Sequence, residues 1–274
     1  MSNIITSKTR YYCDTKPPVG SQVNWGNPLS KGLVGCWLLN EGGGGIAINL
    51  ANTKSLAAGV AAGRSLTREG LKFTASTNIF AVGSAVNLSL PFTIIIAMTK
   101  KIAVGTSSAF LLVGKHGSST NYSKLDWFFT STAPAHSNLR YAYYSGSEQR
   151  IDISNQYGIN TPFDTCGCTY DGTNMTGFLN GVRELTAAGT PTNPAANVRI
   201  GLWFGGAGCI LTTYKYTYIW QRVLSDNEIR QLYIQPYQFI QPIKKRYVFD
   251  LGGEAPTANI TGIMTPRSGY WGDL

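Results

Sequence analysis

Apolar and polar positions alternate over short stretches along most of the chain, and the stretches end at Gly, Asn, Asp or Pro. Val34, Cys36 and Leu38 alternate with Gly35, Trp37 and Leu39, the pattern of a strand buried on at least one face. Asn40-Glu41 and the glycines Gly42, Gly43, Gly44 and Gly45 then close it in a turn. The run Phe92 to Thr99 (FTIIIAMT) is apolar at odd and even positions alike, which predicts an inner strand covered on both faces. Residues 71–75, 109–114, 125–130, 139–144, 164–170, 176–179, 198–202 and 212–220 read as further strands. Asn180-Gly181 between two of them is a hairpin signal, and Asp171-Gly172 is a second turn signal.

One segment has helical spacing. Ser225-Asp226-Asn227-Glu228 is a capping box, in which the serine hydroxyl and the glutamate carboxylate each satisfy a free N–H of the first turn. Ile229, Leu232 and Tyr233 follow on one side, and Pro236 ends the helix. Many short strands and one late helix predict an all-β fold, a two-sheet antiparallel sandwich over 32–236. Residues 1–31 and 237–274 have no such period. They hold Pro17-Pro18, Asn27-Pro28 and other chain punctuation and read as extended arms. Their aromatic anchors are Tyr11, Tyr12, Trp25, Tyr237, Phe239, Tyr247, Phe249 and Trp271. Arms with such anchors add strands to a neighbour or wrap it, so they are expected to assemble the chain with copies of itself or with other proteins. The alternative is that they dock on their own sandwich as edge strands.

Composition narrows the function classes. The 274 residues suit one sandwich with arms. The chain is 14% charged and 12% aromatic, against about 25% charged in an average protein, and this excludes a disordered chain. No apolar run approaches the roughly 20 residues of a membrane-spanning helix, and the N-terminus lacks the apolar core of a secretory signal. The cysteines Cys13, Cys36, Cys166, Cys168 and Cys209 are odd in number and read as free thiols of a reducing compartment. The net charge of +9 is spread thinly, with one basic run at Lys244-Lys245-Arg246; nucleic acid would call for a concentrated stripe.

Catalytic chemistry finds little support. Glycoside hydrolysis with retention needs two carboxyl groups about 5–5.5 Å apart, and the acids are scattered. Asp226 and Glu228 belong to the helix start, where acids serve the helix. Glu148 and Asp152 flank Arg150 in a solvated strand or loop. His116 and His136 read as loop residues with nothing to orient them as bases. The four glycines at 42–45 lack the Lys-Ser/Thr of a phosphate loop.

The middle of the chain resembles the laminin G-like, or concanavalin A-like lectin/glucanase, jelly roll. GLVGCWLLNEGGGG at 32–45 is similar to that family's opening strand and turn, and LKFTAST at 71–77 and LPFTIIIAM at 90–98 to two of its strands. TYDGTNMTGFLNGV at 169–182 resembles its hairpin; VRIG at 198–201 and YIWQRVLSDNEIRQLY at 218–233 resemble its closing strand and helix. The helix followed by QPYQF at 235–239 and a basic, aromatic tail resembles jelly rolls encoded among bacteriophage structural proteins. The resemblance implies a non-enzymatic virion protein (capsid decoration, fibre or tail-associated) assembled in the host bacterial cytoplasm, where no export signal is needed. Its partners would be other virion proteins, copies of itself and surface glycans. The alternatives are a lectin module outside a virion and a glycan hydrolase. Many relatives of the fold hold a calcium ion, for which Asp126, Asp152 and Asp171 are the weak candidates, Asp171 reading first as part of its Asp-Gly turn; no other cofactor is expected. Tyr214, Tyr216, Tyr218 and Trp220 alternate on one strand. With Thr217 and Ile219 facing the core, as the family pattern implies, they form a partly exposed aromatic row able to stack on sugars. Tyr141 and Tyr143 form a shorter row; the bland alternative is that both rows fill the core.

Overall fold

Phe92–Thr99 lies inside a sheet, paired antiparallel to Thr165–Tyr170 on one side and Thr213–Trp220 on the other, and every residue from Phe92 to Met98 is buried. Ile94, Ile96 and Met98 face a second sheet, while Ile95 and Ala97 face the opposite way into a separate apolar layer. Each fully buried side chain of this kind contributes about 1.5–3 kcal/mol, so covering both faces is what makes an all-apolar strand favourable here. The computed structural model describes residues 16–41, 46–51, 56–57, 64–66, 70–73, 80–82, 87–99, 108–118, 120–130, 136–158, 164–196, 198–200 and 213–241.

The sheet around Phe92–Thr99 runs Val182–Ala188, Asn174–Leu179, Thr165–Tyr170, Phe92–Thr99, Thr213–Trp220, Leu71–Phe73 and Arg64–Leu66, with Leu33–Trp37 also paired to Thr213–Trp220. The facing sheet runs Glu148–Asp152, His136–Tyr144, Asn121–Thr130, Ser108–Ser118, Val198–Ile200 and Phe80–Val82, with Tyr157–Gly158 on His136–Tyr144. All of these pairs are antiparallel. The fold is an all-β jelly-roll sandwich with, among the described residues, one short α-helix, Asp226–Ile234. Trp37, Trp127, Leu139 and Tyr141 pack with the isoleucines between the sheets. His116 lies within the Ser108–Ser118 strand and His136 opens the His136–Tyr144 strand; both had read as loop residues, because flanking Gly and Ala hid the strand period.

Parts of the expected arms belong to the sandwich. Gln22–Val23 pairs with Ile240–Gln241, Gln22 opposite Gln241 and Val23 opposite Ile240. Val23, Leu29, Tyr237, Phe239 and Ile240 are buried with Leu224, Ile229 and Leu232 over the outer face of the Phe92–Thr99 sheet. The boundaries expected at 31 and 237 are therefore corrected: residues 16–31 and 237–241 belong to the sandwich. That sheet is apolar on both faces, and these segments exclude water from the second one. Two-residue strands carry too few positions to show a period, which is why they read as loose chain. The anchors Tyr11, Tyr12, Tyr247, Phe249 and Trp271 lie outside the described residues.

The helix is held by the capping box that the sequence announces. Ser225 Oγ accepts from Glu228 N (3.3 Å), and Glu228 Oε2 accepts from Ser225 N (2.8 Å), a device worth about 1 kcal/mol. Arg222 donates to Glu228 Oε1 at 2.7 Å. Burial pushes the Glu228 carboxyl up, but the Arg222 fork and the Ser225 donors outweigh it and hold the group below its usual range.

Candidate functional site

The aromatic row does not form a surface. Tyr214 pairs with Met98 and Tyr216 with Ala97, so Lys215 is the extra residue of a β-bulge. A bulge reverses the side-chain parity of everything beyond it. Tyr214 therefore points between the sheets, while Tyr216, Tyr218 and Trp220 point into the outer layer. All four are at most 2% exposed, and this corrects the expected exposed platform. Tyr216 and Tyr218 stack at 4.5 Å, and Phe239 meets Tyr218 edge to face at 5.1 Å. Two polar ends are satisfied inside: Trp220 Nε1 donates to Leu29 O (2.7 Å), and Tyr218 OH donates to Pro236 O (3.1 Å). Tyr141 and Tyr143 are also buried between the sheets, with Tyr141 OH 2.9 Å from Ser123 Oγ and Tyr143 OH accepting from Thr190 N. Of the aromatic anchors in the described parts of the arms, Tyr237 and Phe239 are buried and Trp25 is 58% exposed. Trp25 rides on a turn pinned by Asn24 N to Phe239 O (2.8 Å) and Ser30 Oγ to Asn24 O (2.7 Å).

The calcium candidates do not gather in one place, and Asp126 and Asp171 are otherwise engaged. Asp171 accepts from Thr173 N (2.8 Å) and Asn174 N (2.7 Å), and these backbone bonds, first that of Asn174, hold its carboxyl below the usual range. That is the chemistry of its turn. Asp126 and Asp152 lie in one cross-strand row with Arg140 between them. Lys124 Nζ also sits 3.1 Å from Asp126. Burial pushes the Asp126 carboxyl up, against the pull of Lys124 and Arg140. Two cations in contact with a carboxylate compete with a metal for it. Among the described residues no three His, Cys, Asp or Glu side chains gather as a metal site.

The structure opens a groove elsewhere, where the Asn180-Gly181 hairpin turn meets the helix. Both turn residues have positive φ, 48° and 76°, the geometry that a two-residue turn needs to follow the strand twist. Asn180 N donates to Thr165 O, and Asn180 Oδ1 accepts from Asp164 N and Thr165 N, which fixes the turn to the sheet. Gly181 lies so close to the helix that a Cβ there would stand 2.7 Å from Tyr233 Cβ and 3.3 Å from Arg230 Cα. Glycine is required for the contact as well as for the backbone. Beyond it lies an open groove of about 490 Å³ lined by Asn180, Gly181, Val182, Arg183, Asp226, Asn227, Arg230, Tyr233 and Ile234. Val182 (63%), Ile234 (60%) and Tyr233 (39%) expose apolar surface along it. Arg183 forms two bonds of 2.9 Å to the Asp226 carboxylate and ties the strand Val182–Ala188 to the first turn of the helix. An aromatic face, aliphatic walls and planar amide and guanidinium groups in one depression can hold a ring that is apolar on its faces and hydroxylated at its rim.

Parts of this groove are legible in the sequence, but Arg183 and Arg230 carry no local signal. The Asn-Gly turn, the capping box and Tyr233 were each legible, but Arg183 and Asp226 are 43 residues apart, and no local pattern reports that they touch.

No protein-family model matches the chain, and no curated protein matches it in sequence. In structure it is similar to the botulinum neurotoxin serotype D binding domain, with TM-score 0.55 and 10% identity over 76% of this chain and 52% of that one. The binding domain of Paraclostridial Mosquitocidal Protein 1 gives TM-score 0.53 and 14% identity over 75% and 52%. Trypanosoma rangeli sialidase in complex with sialic acid gives 0.54 and 16% over 74% and 33%. The likeness is one of fold. The chain spans about half of each toxin domain and about a third of the sialidase.

Proposed function

We propose that the chain is a non-enzymatic β-sandwich binding module for glycans and that it serves as an adhesion component of a bacteriophage virion. The observation that carries the glycan reading is the groove between the hairpin turn and the helix, where exposed Tyr233 lies among Asn180, Asn227, Arg183 and Arg230. Aromatic faces stack on the C–H faces of sugars and planar side chains bond their hydroxyls. The similar structures support it at the level of fold, being two domains described as binding domains and a sialidase that holds sialic acid. The non-enzymatic reading rests on the groove's acids: among the described residues its one carboxylate, Asp226, has both oxygens taken by Arg183, whereas glycoside hydrolysis uses a pair. The test is a glycan array probed with the full chain and with Tyr233→Ala. Binding that falls about tenfold or more in the variant, the size of one lost stacking contact by analogy with nucleobase stacking, supports the reading. Binding that is unchanged overturns it. Reducing-sugar release abolished by Asp226→Asn would overturn the non-enzymatic part.

The virion setting is supported by the resemblance of the helix, the QPYQF segment at 235–239 and the basic, aromatic tail to jelly rolls encoded among bacteriophage structural proteins. The partners there would be copies of the chain or other virion proteins, engaged through residues 1–15 and 242–274. Removing those residues leaves the paired segments at 22–23 and 240–241 in place. A trimmed chain that folds yet fails to join particles is the expected result; normal incorporation would refute the role of the ends.

A further inference from the structure

We propose that the groove selects sugars bearing a carboxylate, and that Arg230 is the residue that reads it; this rests on the glycan reading above. Two arginines line the groove and they are not equivalent. Arg183 is locked in a bidentate pair with Asp226, so its charge and its donor fork are spent within the protein. Arg230 is exposed and has no ion pair or side-chain hydrogen bond among the described residues. Its natural partner on the helix is Asp226, four residues earlier and on the same side, but the strand's Arg183 has taken both oxygens of that carboxylate. Among the described residues the groove is thus left with two guanidinium groups, one carboxylate and one unspent cation.

The chemistry of that cation is selective. A guanidinium presents parallel N–H donors that match the two oxygens of a carboxylate, and bonds of this charge-assisted kind are about twice as strong as neutral ones. Tyr233 follows Arg230 by three residues, so the two side chains are neighbours on the helix surface, with Cβ atoms about 5–6 Å apart. A sugar ring against Tyr233 therefore places an exocyclic acid group within reach of the guanidinium. The net charge of +9 draws acidic ligands toward the surface before contact.

The experiment titrates the full chain with two oligosaccharides that differ only in glucuronate against glucose, at low and at physiological salt. Wild type is expected to favour the acidic member by about tenfold or more. Arg230→Gln should lower affinity for the acidic member by about that factor and for the neutral one by much less, so that the acid-to-neutral ratio falls; Arg230→Lys should recover part of the preference. Thermal unfolding should not move in either variant, because the side chain is exposed and unpaired. An acid-to-neutral ratio in Arg230→Gln equal to that of wild type, with Tyr233→Ala still weakening both ligands, overturns the proposal and leaves the glycan reading intact. Failure of wild type to bind either sugar, or equal binding by Tyr233→Ala, refutes the glycan reading and this inference with it.

Discussion

Phe239→Ala tests whether the segment after the helix is part of the sandwich. Phe239 is fully buried and meets Tyr218 at 5.1 Å and Trp220 at 6.1 Å, both edge to face. An aromatic side chain withdraws about 150–250 Å² from water, which at about 25 cal/mol/Å² is worth about 4–6 kcal/mol. Part of that area is already covered in a compact unfolded chain. Truncations of this kind cost about 3–5 kcal/mol, and that loss is expected here. At about 2–4 °C per kcal/mol for a domain of this size, the melting temperature should fall by about 6–20 °C. Urea unfolding followed by tryptophan fluorescence is the assay, since Trp220 lies against the altered ring. The midpoint should fall with the slope unchanged, the sign of lost stability in an otherwise similar native state. Phe239→Leu should restore most of the loss by refilling the volume. A change under about 0.5 kcal/mol, the level of a surface substitution, would show that 237–241 is a loose arm and that the outer apolar layer does not depend on it.

Three further outcomes follow from the same geometry. Gly181→Ala should cost about 1–3 kcal/mol in thermal unfolding, because φ is +76° and a Cβ would strike Tyr233; a wild-type melting curve would show that the turn does not rest on the helix. Cys36, Cys166 and Cys168 are buried free thiols whose pKa values burial pushes well up, so a thiolate-specific reagent at pH 8 should label them only on unfolding, and prompt labelling in the native state would contradict their burial. The depressed Glu228 carboxyl stabilises the fold above its ordinary value of 4.5, and that contribution is lost as pH falls through the lower folded value; Glu228→Gln should flatten stability over that window, and an unchanged acid limb would count against the capping network.

The sandwich and its inner strand were legible because two-face burial demands apolar residues at every position, and Phe92–Met98 supplies them. The helix was legible because its cap is a local device: Ser225 and Glu228 satisfy each other across one turn. The Asn180-Gly181 turn was legible for the same reason, since positive φ at two successive positions is a demand that neighbouring residues alone must meet.

The aromatic strand was misread at two points that no local pattern marks. Nothing in TYKYTYIW distinguishes a bulge at Lys215 from regular alternation, yet that one residue sends Tyr214 to one layer and Tyr216, Tyr218 and Trp220 to the other. The cover over the second layer comes from both ends of the chain, as the bond from Trp220 to Leu29, 191 residues away in sequence, makes plain. The groove has the same origin, since the strand's Arg183 reaches the helix's Asp226 and leaves Arg230 without its helical partner. Periodicity and capping are properties of a few adjacent residues, so the sequence alone determined the elements and their class. Which face is covered and which charge is left over depend on segments that meet only when the whole chain packs, and those the tertiary structure decided.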